Sequence, residues 1–230
     1  MTSVDFGFGI RRSILFPLLG DGIFTQDGAA WKHSRELLKP QFTRSQYRDL
    51  DLFREHVDNL ISSIPLTGKP VDLQPLFFRF TLDTTTALLF GESVYCLKAN
   101  DSNDEQTFAE SFNVAQEYLA KRFRLLDLYF LIDGRKFRKA CTSTHKVVDE
   151  IVERGLRTLA DSDQEKPDRY LFLNVIAQNS PNRIALRDQL LNILLAGRDT
   201  TACLLSWTLS VIPMSFYKSR RLTAFPRSKG

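Results

Sequence analysis

The run Leu190-Leu191-Asn192-Ile193-Leu194-Leu195-Ala196-Gly197-Arg198-Asp199-Thr200-Thr201 decides how this 230-residue chain is read. It is apolar at helical spacing, yet a small-residue notch and an acid–hydroxyl pair are set into its middle. Ala196, Gly197 and Thr200 stand at i, i+1 and i+4, so they share a helix face. Gly197 removes a side chain there, at a cost of about 1 kcal/mol of helix propensity relative to alanine. The notch is expected to open room for a flat ligand or a small molecule. Thr200 is placed to hydrogen-bond back to the carbonyl of Ala196, and Asp199 adds a proton-handling carboxylate to a greasy segment. The competing reading is structural. Glycine and threonine inside a helix also serve close packing, and an aspartate among leucines also serves an exposed face.

A second constellation lies upstream in Trp31-Lys32-His33-Ser34-Arg35. Trp31 and Arg35 stand at i and i+4, side by side on one helix. An indole N–H and a guanidinium fork pointing the same way suit a carboxylate. Taken alone, the pair is better read as a cation–π contact on a surface helix.

Together, in this order and spacing, the two runs resemble the haem-thiolate monooxygenases, the cytochrome P450 family. Trp31 to Arg35 resembles that family's W-x-x-x-R on helix C, and Ala196 to Thr201 resembles [AG]-G-x-[DE]-T-[TS] on helix I. The stretch Leu18-Leu19-Gly20-Asp21-Gly22-Ile23-Phe24-Thr25-Gln26-Asp27-Gly28, with Pro40-Gln41-Phe42 after it, resembles the fungal branch that hydroxylates n-alkanes and fatty acids. So does the segment from Phe112 to Val152. The resemblance implies an all-α fold, the middle portion of the cytochrome P450 fold from helix C to helix I. It also implies that Trp31 and Arg35 bind haem propionates, that Ala196 and Gly197 form the distal groove, and that Asp199 and Thr200 relay protons to bound oxygen. Thr201 completes the motif on the haem side. The implied partners are an NADPH-dependent flavoprotein reductase and an apolar small-molecule substrate, with no nucleic acid. The implied location is the cytosolic face of the endoplasmic reticulum membrane.

Two further family signatures are not found. No glutamate is followed three residues later by arginine, and no cysteine sits in F-x-x-G-x-R-x-C-x-G. Cys96, Cys141 and Cys203 instead read as small apolar residues. The axial thiolate that favours O–O cleavage in such enzymes is therefore expected to be missing, and no residue of this chain is assigned to a metal. The N-terminal anchor of the fungal branch is not seen either. The expectation is a partial cytochrome P450 domain over residues 1–210, catalytically incompetent alone, followed by a non-family basic tail over 211–230 that is disordered. The rival reading is an inactive helical binding or scaffold protein with an exposed apolar groove.

Composition fits this picture. The hydrophobic fraction of 43% suits a globular chain. Three scattered cysteines do not form a disulfide framework. No apolar run reaches the roughly 18–20 residues that span a bilayer. The formal charge of +4 comes from the tail: Lys218, Arg220, Arg221, Arg227 and Lys229 follow Val211 with no acid among them. Periodicity predicts helices over 29–38, 44–63, 72–90, 105–122, 134–159, 170–178 and 184–209, with Pro213 ending the last. The helix over 44–63 is read as amphipathic on Leu50, Phe53, Val57 and Leu60.

Overall fold

The structure is a computed structural model that describes residues 7–42, 50–98, 104–161, 173, 176, 177 and 182–223, without the side chains of 41, 52, 104–107, 158–161 and 213–223. Among the described residues seven α-helices follow one another: α1 (Ile10–Leu19), α2 (Gly28–Leu38), α3 (Asp51–Ser62), α4 (Gln74–Phe90), α5 (Asp104–Leu125), α6 (Arg135–Asp161) and α7 (Arg183–Thr223). Short 3-10 turns at Lys39–Phe42 and Leu126–Leu131 extend α2 and α5. Among the described residues there is no strand.

The core forms where α4, α6 and α7 meet, with α5 packed on α6 and α1 wedged between α5, α6 and α7. Leu186, Leu190, Leu191 and Leu194 of α7 are fully buried against Ile14, Leu18, Leu19, Phe108, Phe112 and Phe137. Val148, Ile151 and Val152 bury the inner face of α6, as their spacing predicts. The middle of α4, Thr81 to Ala87, is buried on every side. Its threonines survive there because Thr81, Thr84 and Thr86 donate to the carbonyls of Phe77, Phe80 and Leu82, four residues back.

Several expected boundaries shift. Residues 43–49 and most of 170–178 lie outside the described residues. Helix α3 packs on α4 but not along the expected stripe: Leu50 and Val57 are exposed, and His56 is buried beside the Tyr95 ring at 5.8 Å. Helix α1 is not among the helices that periodicity predicts. In the structure Pro17 sits inside α1, between Gly9 and Gly20, both at positive φ. Proline removes the N–H that would satisfy the carbonyl four residues back. That carbonyl, on Ser13, instead accepts from Arg122 Nη2 at 3.2 Å.

The largest correction concerns the C-terminal stretch. Residues 211–223, expected as an irregular tail, continue α7 through Pro213 as far as Thr223. The carbonyl that Pro213 leaves without a helical donor belongs to Leu209, which is 43% exposed, so water can take up the lost bond. At 1.5 Å per residue α7 is about 60 Å long. The expected disorder of residues 224–230 lies outside the described residues.

Candidate functional site

The site is built on α7. Positions 189, 193, 196, 200, 203, 204, 207 and 211 recur at three- and four-residue steps and form one face of that helix. Along it, Gln189 is buried, Ile193 and Ala196 are half-buried, and Thr200, Cys203, Leu204, Trp207 and Val211 are exposed. Thr200 Oγ donates to the carbonyl of Ala196 at 2.7 Å, the back-bond expected of it. Thr201 is exposed beside it.

Helix α2 docks at the buried end of the same face. Gln189 Nε2 donates to Ser34 Oγ, which in turn donates to Gln26 Oε1, each at 2.5 Å. Ser34 lies between Trp31 and Arg35 on the turn of α2 that reaches α7. Arg35 is exposed, with its guanidinium carbon 5.5 Å from the centroid of the half-buried Trp31 ring. The docked Ser34–Gln189 pair and Thr200 are separated by eleven residues of α7, about 16 Å along its axis.

What fixes α2 there is the loop between α1 and α2. After α1 the chain turns through Gly20, Asp21 and Gly22 against Asp188 and Asn192 of α7. Asp21 N donates to Asp188 Oδ2 at 2.8 Å and Phe24 N donates to Asn192 Oδ1 at 2.9 Å. Asn192 Nδ2 donates to Leu19 O at 3.0 Å and to Asp188 O at 2.7 Å. A Cβ on Gly20 would lie 2.1 Å from the Asp188 carboxylate, and one on Gly22 would lie 2.2 Å from Asn192 Nδ2. Thr25, fully buried, closes the turn by donating to Gly20 O at 2.6 Å. Asp188, Gln189 and Asn192 are thus positioning residues that sequence reading misses. Their signal is three polar side chains clustered in an otherwise apolar helix.

Gly197 is a correction. A Cβ there would meet Thr85 Cγ2 at 3.0 Å and Oγ1 at 3.1 Å. The notch is filled by α4 and is not left for a ligand. Glycine serves close approach of two helices here, and Ala196 and Thr200 alone present the small and polar surface on the open face.

Asp199 and Thr200 are chain neighbours whose side chains diverge. Asp199 turns toward α5, where Gln116 Nε2 donates to its Oδ2 at 2.7 Å, while Arg198 Nη1 donates to its Oδ1 at 2.9 Å. Burial raises the Asp199 pKa from the usual carboxylate value, opposed by the Arg198 charge and the Gln116 bond. Arg198 is itself 3% exposed, and burial lowers its pKa. Its guanidinium also donates to Gln116 and Asn113, and its central carbon lies over the rings of Phe78 and Phe112, 4.9 and 5.5 Å from their centroids.

The cysteines are equally specific. Cys96 and Cys141 are buried. Burial raises the Cys96 thiol pKa strongly, with the Asp83 carboxylate beside it adding to the effect, and pushes that of Cys141 up to about 12. Cys203 is exposed, on the same face as Thr200. Among the described residues no group of three His, Cys, Asp or Glu side chains is placed to hold a metal ion.

Comparison with known proteins matches residues 9–212 to the family described as Cytochrome P450. The chain is 51% identical over 198 residues to a cytochrome P450 of Arthroderma benhamiae, covering 84% of this chain and 39% of that protein. It is 43% identical to cytochrome P450 52A4 of Candida maltosa, covering 98% of this chain and 42% of the relative. The chain therefore spans about two-fifths of the length of these relatives. Among solved structures, the haem domain of cytochrome P450DA superposes with a TM-score of 0.74 at 20% identity, covering 94% of this chain and 47% of that one. That last likeness speaks of fold.

Proposed function

Because the chain belongs to the cytochrome P450 family, we propose that it supplies the distal helix and the propionate clamp of a haem-dependent monooxygenase acting on n-alkanes or fatty acids. The observation that carries this reading is the Ser34–Gln189 contact. It seats the Trp31–Arg35 pair at one end of the α7 face on which Ala196 and Thr200 lie. That face would hold haem, which would supply oxygen activation, with electrons drawn from an NADPH-dependent flavoprotein reductase.

The residues fit haem on one side only. The Trp31 indole and the exposed Arg35 guanidinium suit two propionates. Ala196 would leave room for haem on that face, and Gly197 lets α4 approach α7 on another side of the helix. Thr200 presents a hydroxyl on the open face, with Thr201 beside it. Asp199, its pKa raised by burial, holds a proton more readily than an exposed aspartate and would take it up from the α5 side. No cysteine of this chain serves as the axial thiolate. Two thiols are buried, their pKa values raised by that burial, and Cys203 lies on the same face of α7 as Thr200. On this reading the chain alone does not hydroxylate.

We place the parent enzyme on the cytosolic face of the endoplasmic reticulum membrane. No described helix is long and apolar enough to cross a membrane. Supporting surface association, the 3-10 turn after α5 exposes Leu126, Leu128, Phe130 and Leu131. Exposed Arg124, Arg135, Lys136 and Arg138 flank it, the pairing of apolar tip and basic collar that suits an anionic lipid surface.

The test is haemin titration of the purified chain. Arg35→Ala is expected to weaken binding about tenfold, the loss of one charge-assisted contact of roughly 1.5 kcal/mol. The reduced carbon monoxide complex is expected to lack the red-shifted band that thiolate ligation produces. Equal haemin affinity for the variant would remove the propionate assignment, and a thiolate-type band would show that one of the three cysteines ligates iron.

A further inference from the structure

On the side of α7 turned away from Thr200, a cavity of about 410 Å³ opens between α4, α5 and α7. Its size lies in the range of small-molecule sites, roughly 300–1,000 Å³. Phe78, Leu82 and Ala109 give it an apolar wall, and the buried Arg198 with the exposed Asn113 supply its polar end. Arg79 and Glu110 are exposed members of the same lining and carry opposite charges.

The unusual group is Arg198. Its guanidinium carbon lies over the rings of Phe78 and Phe112, 4.9 and 5.5 Å from their centroids. Nη1 is used by Gln116 and Asp199, and Nη2 donates to Asn113. Nε, in a side chain only 3% exposed, has no hydrogen-bond partner. A buried N–H left unmade is costly, on the order of 1–3 kcal/mol. The Nε–Nη2 edge is one of the two edges at which a guanidinium accepts a carboxylate bidentately, in its own plane. A planar carboxylate can meet that edge with two parallel bonds in one plane.

We propose that this cavity is a second binding site, separate from the face assigned to haem, for a small monocarboxylate with a short apolar tail. The carboxylate engages the Nε–Nη2 edge of Arg198, and the tail lies along Phe78, Leu82 and Ala109. Asn113 stays within reach to donate its amide to the free carboxylate oxygen once it releases the guanidinium.

The experiment is calorimetric titration of the full chain, without haem, using octanoate, octanol and inorganic phosphate as probes. Octanoate is expected to bind saturably at one site. Octanol and phosphate are expected to bind at least tenfold more weakly, since one lacks the charge and the other the plane and tail. Ala109→Phe fills the cavity without touching Arg198 and is expected to abolish octanoate binding while helical circular dichroism is unchanged. Arg198→Gln is expected to do the same, and if it fails to fold the Ala109→Phe result still decides. Equal affinity for octanol and octanoate, phosphate binding as tight as octanoate, or undiminished octanoate binding by Ala109→Phe would each overturn the proposal. Haemin titration of Ala109→Phe should match wild type, so failure here is distinguishable from failure of the haem assignment.

Discussion

At the scale of single residues, the decisive positions are ones where a bulkier side chain would not fit. Gly197 lies against Thr85, so Gly197→Val is expected to cost about 1–3 kcal/mol by overpacking, with Thr85→Ala recovering part of it in urea unfolding. Gly197→Ala is expected to be nearly neutral, because a gain of about 1 kcal/mol in helix propensity offsets the tight contact. The cysteines give a second test. Only Cys203 is exposed, so one thiol should react with Ellman's reagent in the native chain and three after denaturation. More than one native thiol would contradict the burial of Cys96 and Cys141. Asp199 gives a third, through pH. Its folded pKa is raised, so the native state binds the extra proton, and Asp199 costs stability as pH rises from the unfolded value toward the folded one. The stability of Asp199→Asn relative to wild type is therefore expected to rise with pH just above pH 4 and then level off. A flat or falling difference would mean that the Arg198 and Gln116 contacts outweigh burial.

Between elements, the main device is the latch of the Gly20–Thr25 turn onto Asp188 and Asn192. Asn192→Leu leaves the Leu19 carbonyl and the Phe24 N–H without their partner in a buried setting. It is expected to cost about 2–4 kcal/mol. Gly22→Ala drives a methyl into the Asn192 amide and breaks the same latch, so the two changes together should cost less than their sum in denaturant titrations. The helices themselves were legible because α4 to α7 repeat their apolar residues at three- and four-residue steps. The latch was not, since Gly20-Asp21-Gly22 and Asp188-Gln189-Asn192 are each unremarkable alone, and their meaning lies in a match across some 170 residues of chain. The Thr200 back-bond was readable because its partner is four residues away. The direction of Gly197 was not, because it depends on where Thr85 of α4 comes to lie.

Taken as one molecule, the chain is a helical core from which α7 runs on. Beyond Ala202 its face carries Leu204 at 66% and Trp207 at 67% exposure, with Val211 and Ile212 also open. An apolar face of this kind promotes association. Leu204→Glu with Trp207→Glu is expected to raise the concentration at which the chain stays monomeric in light scattering, with little change in Tm because neither side chain is buried. Sequence reading ended α7 early because Pro213 is a breaker in an interior helix, and an exposed carbonyl at Leu209 removes that penalty. The same local logic, satisfied by protein and not by water, operates at Pro17. There the carbonyl that proline orphans is answered by Arg122, which also donates to Ile132 O at 3.1 Å and lies over the rings of Tyr129 and Phe137. In genetic terms this makes positions 17 and 122 epistatic. Arg122→Leu should be poorly tolerated beside Pro17 and better tolerated beside Pro17→Ala, because alanine restores the helical donor to Ser13 and one of the arginine's duties lapses. A folding selection on a library randomised at both positions should therefore enrich arginine at 122 chiefly among clones that keep proline at 17.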